Sequence, residues 1–382
     1  MHEWASRVKV VAAPVVIVHD YLTQRGGAER VVLSLMRAFP QAPVVTSVYD
    51  PLRTFPQFAN GRVITSSLQR IPALRRHHRL GFPAYALAFS AMAIEADNVL
   101  CSTSGWAHGV RTQGRKILYV HNPARWLYQT QEYIGSTRTL SGPMYSALLS
   151  PWRVWDRERA SGASTVLANS RVVQERIMRC WGMNADVLYP PHGADPEGGQ
   201  RPLPGFRPGF ALIVSRLLAY KRVDVVVEAM RSLTGVQLAI VGDGPEATRL
   251  RAIAPPNCQF LGPVDDDALR WLYGNAGVLV SAAHDDFGLV PLEAMAFGCP
   301  VAVIRAGGFV ETVQEGINGL FFERATPNQV ASAIAHVLNR RWDTASIMDH
   351  AARFDERTFI SHIQHLVREP SAKDSRKRTR AD

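Results

Sequence analysis

The segment His284-Asp-Asp-Phe-Gly-Leu-Val-Pro-Leu-Glu-Ala-Met-Ala-Phe-Gly-Cys-Pro-Val301 restricts what this chain can fold into more than any other stretch. It lies between two short apolar runs, Gly277-Val-Leu-Val-Ser281 and Pro300-Val-Ala-Val-Ile304, each of which reads as a buried strand. One helix must therefore carry the chain across from the first strand to the second. Pro291 suits the first helical turn, where its missing N–H costs nothing, and Gly298 suits the residue just past the helix end. The spacing predicts a helix starting near Leu289. Its free N–H groups, at Leu289 and Val290 beside the Phe287-Gly288 turn, form a cradle for phosphate, helped by the helix dipole. Glu293 stands about one turn into the helix, within reach of whatever carries that phosphate. Asp285 stands on the approach loop, where a carboxylate can accept hydrogen bonds from sugar hydroxyls. The plain alternative is an ordinary crossover whose acids answer the helix dipole.

The rest of the chain repeats this kind of unit. With 382 residues it is long for one core, and two domains of roughly 170 residues each are expected. In the N-terminal half, Val15–Val18 reads as a strand. A loop with His19, Asp20 and Gly26-Gly27 follows, then a helix with Val31, Val32, Leu35, Met36 and Phe39 on one face, then the strand 44–49. Further strands fall at 98–101, 116–120 and 165–168, with a helix over 172–181, a parallel doubly wound pattern. Residues 191–209 are rich in Pro and Gly and read as a linker. A second wound unit follows, with strands 211–215, 236–241, 258–262 and 277–281. The fold class expected is α/β, with an N-terminal Rossmann-like domain over 15–190, a donor-type domain over 210–350 and a disordered basic tail over 368–382.

Ligands in such sheets bind at the carboxyl ends of the strands, and four loops sit there. Gly26-Gly27 precedes a helix and lets the backbone approach an anion, although a tight turn explains the pair equally well. Arg216 and Lys221 share the loop after strand 211–215, two cations suited to a diphosphate. His121 ends the strand Ile117-Leu-Tyr-Val120 beside Trp126 and Tyr128, as a hydroxyl-binding or a structural histidine. The fourth loop is the opening segment. Gly242-Asp-Gly-Pro245 lacks a third glycine opening a helix and reads as a turn, and Asp265-Asp-Asp267 reads as a helix N-cap rather than a metal site.

The net charge of +10 is uneven. Between Pro51 and Ile94 stand Arg53, Arg62, Arg70, Arg75, Arg76 and Arg79 with no acid, and only Glu95 and Asp97 oppose Arg111, Arg115, Lys116 and Arg125 beyond them. An anionic partner is expected for this half, an anionic membrane surface above all, since residues 70–83 mix basic with apolar side chains. A solvated basic helix is the alternative. No nucleic-acid motif accompanies the charge, so nucleic acid is not expected. Cys101, Cys180, Cys258 and Cys299 are far apart, so neither a disulfide nor zinc is expected. The first residues lack the apolar core of a signal peptide and no run of eighteen apolar residues occurs, so a cytoplasmic location is expected, peripheral at the inner face of the membrane if the basic half docks there.

Taken together, Gly26-Gly-Ala-Glu-Arg30, Ser215-Arg-Leu-x-x-Tyr-Lys-Arg-Val-Asp224, Gly242-Asp-Gly-Pro245 and Asp285-Asp-Phe-Gly-Leu-Val-Pro-Leu-Glu-Ala-Met-Ala296 resemble the retaining nucleotide-sugar glycosyltransferases of family 4, over roughly residues 15–367. Val18-His-Asp-Tyr-Leu22, Val120-His-Asn-Pro-Ala-Arg125 and Leu188-Tyr-Pro-Pro191 further resemble the GDP-mannose-dependent mannosyltransferases of O-antigen and exopolysaccharide synthesis. The resemblance implies a GT-B fold, two facing Rossmann-like domains with a cleft between them, and a C-terminal helix at about 354–367 returning to the first domain. It implies that Arg216 and Lys221 neutralise the donor diphosphate, helped by Gly27 and the N–H groups of Leu289 and Val290. Glu293 would hold the ribose, Asp285 the hydroxyls of the transferred sugar, and His121 that sugar as well. The family usually has Glu where this chain has Asp285, a side chain one methylene longer. The implied reaction needs no cofactor and no metal. It moves a sugar, mannose from GDP-mannose, to a lipid-linked oligosaccharide or polysaccharide acceptor. A donor built on UDP, or a scaffold that binds nucleotide-sugar without transfer, are the alternatives.

Overall fold

The computed structural model describes residues 9–76, 84–129 and 143–369. Arg79 and most of the basic tail expected after residue 368 lie outside them. The chain divides into two compact units, one formed by residues 1–190 with 357–382 and the other by 191–356.

The first unit is built on a parallel sheet of β1 (Lys9–His19), β2 (Val44–Thr46), β3 (Val63–Thr65), β4 (Ala93–Thr103), β5 (Arg111–Thr112), β6 (Arg115–Val120), β7 (Thr165–Ala168) and β8 (Asp186–Val187). Its order is β3-β2-β1-β4-β6-β7-β8, with β5 paired to β4. The order reverses between β1 and β4, where Val18 pairs with Cys101 and His19 with Ser102. Both faces are covered, so the strands are apolar runs rather than alternating ones. One face packs Val16, Val18, Val99 and Leu118 against Tyr85, Phe89, Trp106 and Trp181. The other packs Ile17, Leu100 and Ile117 against Val31, Val32 and Leu35 of the helix Gly27–Ala38, and against Phe359 and Ile363.

Those last two residues come from the C-terminal helix Glu356–Arg368. Phe359 and Ile363, one turn apart, are buried, and Phe359 meets the Tyr119 ring edge-on at 5.6 Å. Arg115 donates to the carbonyls of Leu366 and Glu369, both at 2.7 Å, closing the end of the helix. The helix begins later than residue 354. Phe354 instead packs on Phe287 and His350 of the second unit, and the unit boundary falls just after Glu356.

The second unit has the parallel order β11-β10-β9-β12-β13-β14, from β9 (Phe210–Val214), β10 (Leu238–Val241), β11 (Cys258–Gly262), β12 (Ala276–Ser281), β13 (Val301–Ile304) and β14 (Gly319–Phe322). Here the order reverses between β9 and β12. Residues 191–209 carry no helix or strand, yet they pack with this unit rather than hang between units. Phe206 is buried against Phe210, and Arg201 donates its backbone N–H to the Asp267 carbonyl. Proline and glycine content showed that the segment is irregular, not that Phe206 anchors it. Asp265 caps the helix Asp266–Asn275 through the Ala268 N–H, and Gly242-Asp-Gly244 is irregular, with the turn falling at Pro245 and Glu246.

Candidate active site

In the second unit, the loops at the reversal of strand order are those that follow β9 and β12. They bring together Lys221 and Asp285, whose Nζ and Oδ1 are 2.5 Å apart, with side chains 17% and 22% exposed. Asp285 therefore reaches a cation at its own unit's loop despite its short side chain. Lys221 ends the short 3-10 turn Ala219–Lys221, and Arg222 after it is the one non-glycine residue at positive φ (51°) among the described residues. A side chain in the left-handed region costs roughly 1 kcal/mol or more, so this loop is held by its surroundings rather than by preference. Arg216 is exposed, with its guanidinium 3.4 Å from the Tyr220 hydroxyl.

The Asp285 loop is fixed from below by glycines. Gly288, at φ 86°, caps the helix Leu289–Met295, and a Cβ there would stand 2.3 Å from the Phe309 ring. Gly307 and Gly308 pass so close beneath that added Cβ atoms would meet the Asp285 carbonyl and the Phe287 backbone, each at 2.2 Å, while Gly308 N–H donates to the Asp285 carbonyl. The helix runs only seven residues, shorter than Gly298 suggests, because the chain turns at Ala296 to Gly298. Glu293 is buried within it and accepts from the Tyr273 hydroxyl at 2.8 Å. Tyr273 was not read from the sequence. It sits at the eighth position of the helix Asp266–Asn275, on its buried side with Ala268 and Leu272, where the pattern reads simply as core.

In the first unit, Gly26 caps the helix Gly27–Ala38, and His121 follows β6. His121 Nε2 lies 2.8 Å from Ser102 Oγ. The Tyr119 ring lies 5.2 Å from the His121 ring and the His19 ring 6.3 Å from it. Of Trp126 and Tyr128, expected beside His121, Trp126 stacks on Trp106 at 4.4 Å and Tyr128 donates to Asp156. Asp20, buried, accepts from the N–H groups of Ser104, Trp106 and Ala107, and so shapes the loop after β4. His19 is buried and has its Nε2 3.9 Å from Glu29 Oε1. Burial opposes charge on its ring, but the neighbouring Glu29 and Asp20 carboxylates and the Ser102 carbonyl outweigh it, so its pKa is raised. His19 and Ser102, at strand ends, and Glu29, in the first turn of the helix Gly27–Ala38, are polar residues that sequence reasoning left without roles.

The basic half is less uniform than its composition. Arg53, Arg62 and Arg70 are exposed, and Arg53 faces Asp50 at 3.9 Å. Lys116 instead is buried, donates to the carbonyls of His108 and Arg159, and has its pKa pushed down by burial. With Arg115 committed to the C-terminal helix, both cations support the fold rather than a surface. No described helix is long and apolar enough to cross a membrane, and no described cluster of three or more His, Cys, Asp and Glu could hold a metal ion.

Residues 205–357 match the family of glycosyl transferases group 1. The matched stretch is similar to the group 1 glycosyl transferase domain. It contains Arg216, Lys221, Asp285 and Glu293, while Gly26, Gly27 and His121 lie outside it. The chain is 31% identical over 225 residues to the GDP-mannose-dependent alpha-(1-6)-phosphatidylinositol monomannoside mannosyltransferase of Mycobacterium tuberculosis, covering 52% of this chain and 58% of that one. It is 30% identical over 273 residues to the D-inositol 3-phosphate glycosyltransferase of Geodermatophilus obscurus, covering 60% of each. Over the curated relatives first matched, the chain spans between 35% and 60% of their length. Among solved structures, Alr3699/HepE of Anabaena in complex with UDP and glucose matches 93% of this chain and 99% of its own, with a TM-score of 0.68 at 19% identity. The fold is thus GT-B, two Rossmann-like parallel-sheet domains, as the resemblance of its motifs implied.

Proposed function

We propose that this protein is a retaining glycosyltransferase that takes mannose from GDP-mannose and places it on a lipid-linked or polysaccharide acceptor. The observation that carries this reading is the convergence of Lys221 and Asp285 at the strand-order reversal of the group 1 domain, one loop holding Arg216 and the other leading to Glu293. Arg216 and Lys221 neutralise the diphosphate as the glycosidic bond breaks, and the charge they stabilise grows in the transition state, which is where such groups accelerate a reaction. The N–H groups of Leu289 and Val290 add donors to the same anion, and in the first unit the backbone at Gly26 and Gly27 is open to an anion as well. Glu293, oriented by Tyr273, holds the ribose hydroxyls. Asp285 accepts from the sugar hydroxyls, and Lys221 passes from Asp285 to the incoming phosphate. His121, in the first unit, is assigned to a sugar hydroxyl. The departing phosphate takes the acceptor proton on the face it leaves, so no protein nucleophile and no metal is required.

GDP-mannose is favoured over a UDP-sugar by the Val120-His-Asn-Pro-Ala-Arg125 and Val18-His-Asp-Tyr-Leu22 motifs, and by the mannosyltransferase relative. Exposed Arg53, Arg62 and Arg70 suit an anionic acceptor or membrane surface, since each exposed cation near such a surface adds an attraction. Nucleotide release from GDP-mannose, UDP-glucose and UDP-galactose, each with a membrane lipid extract, tests the reading. Release from GDP-mannose supports it, and release from a UDP-sugar alone would replace the donor.

A further inference from the structure

His19, Ser102 and His121 meet at the carboxyl ends of β1, β4 and β6, and their hydrogen bonds constrain one another. His19 Nδ1 lies 3.0 Å from the Ser102 carbonyl oxygen, which can only accept, so Nδ1 carries a proton. The same nitrogen lies 3.1 Å from Ser102 Oγ, which therefore acts as acceptor in that contact. Ser102 Oγ keeps its own proton to donate while it accepts from His19, and His121 Nε2 stands 2.8 Å away to take it. A ring nitrogen that accepts has no proton of its own, so neutral His121 carries its proton on Nδ1.

We propose that Ser102, oriented by His19, is a positioning residue that fixes His121 as the Nδ1–H tautomer, so that the imidazole offers the transferred sugar a hydrogen-bond donor. His19 is itself held in place. It is 2% exposed, its Nε2 faces the buried Glu29 carboxylate at 3.9 Å, and Glu29 Oε2 occupies the space a side chain at Gly26 would need, 2.7 Å from an added Cβ. Gly26 thus leaves room for the carboxylate that backs His19, a reason for the glycine separate from anion binding. The raised pKa of His19 agrees, because a protonated ring donates from both nitrogens. The use made of the tautomer rests on assigning His121 to the sugar, whereas the tautomer itself does not.

The test is long-range proton–nitrogen NMR of the full chain labelled with 15N-histidine, at a pH where His121 is neutral, with the signals assigned by their loss in His121→Asn. The expected spectrum shows His121 Nε2 unprotonated and Nδ1 protonated in the wild type. Ser102→Ala should move it toward the Nε2–H form and lower kcat/KM about tenfold, as losing one hydrogen bond of about 1.4 kcal/mol does. Ser102→Thr, which keeps the hydroxyl, should restore both. A wild-type Nε2 that carries the proton overturns the proposal, as does a Ser102→Ala spectrum identical to wild type. A confirmed tautomer together with wild-type transfer by His121→Ala would overturn the link to the sugar alone.

Discussion

At the scale of single residues, the pairing of Lys221 with Asp285 at 2.5 Å means that a diphosphate must take the ammonium from a carboxylate already holding it. Part-exposed ion pairs of this kind contribute on the order of 0.2 to 1 kcal/mol, so the competition is modest but measurable. Asp285→Asn should bind GDP a few-fold more tightly by calorimetry while transfer falls, because Lys221 is released and the charged acceptor for the sugar hydroxyls becomes a weaker amide oxygen. Weaker GDP binding in that variant would show that the pair organises the site instead of guarding it. The residues themselves were legible in the sequence, since Arg216, Lys221, Asp285 and Glu293 are charged groups placed after apolar strands or inside an apolar helix. Their partners were not. Tyr273 looks like one more apolar position of an amphipathic helix, and that its hydroxyl reaches Glu293 twenty residues later depends on how two crossovers pack.

Among the elements, the crossover from β12 to β13 depends on three glycines for its shape. Gly288 sits at φ 86° against Phe309, and Gly307 and Gly308 run against the backbone of Asp285 and Phe287. Gly288→Ala should cost more than about 1 kcal/mol in urea unfolding, from the left-handed backbone and the clash together, and should weaken nucleotide binding more than it weakens the fold. An unchanged nucleotide affinity would mean that the loop tolerates the shift. Sequence periodicity placed Gly288 and Gly298 at the helix ends, and the structure has Gly288 in the N-cap. What periodicity could not give was the contact of Gly307-Gly308 with a loop twenty residues earlier. The C-terminal helix shows the complementary case. Its apolar spacing was plain, with Phe359 and Ile363 on one side, but the start near Phe354 was not, because Phe354 is equally apolar and serves the other unit. Full burial of Phe359 and Ile363 contributes roughly 1.5 to 3 kcal/mol each, which ties the last helix to the first sheet.

For the molecule as a whole, two units with separate cores respond separately to pH. His19 has a raised pKa in the folded first unit, so its protonation stabilises that unit fully below its unfolded value of about 6.5. The contribution is lost as pH rises through the higher folded value. The first unit should therefore unfold at lower urea at pH 8.5 than at pH 6, and His19→Gln should flatten that difference while leaving the second unit unchanged. An equal shift in both units would point to net charge instead, which at +10 is itself a whole-chain property. The alternation of strands and helices was enough to expect two wound units. Where the charge acts was not, since composition counts buried Lys116 and helix-closing Arg115 alike with exposed Arg53. The central claim, that Arg216 and Lys221 drive departure of a nucleoside diphosphate from a nucleotide-sugar, is tested most directly by acceptor-dependent nucleotide release from GDP-mannose by wild type and Arg216→Ala side by side. Release by the wild type, reduced about 100- to 1,000-fold in a variant whose unfolding curve is unchanged, is the predicted result. Equal release by both proteins would contradict it.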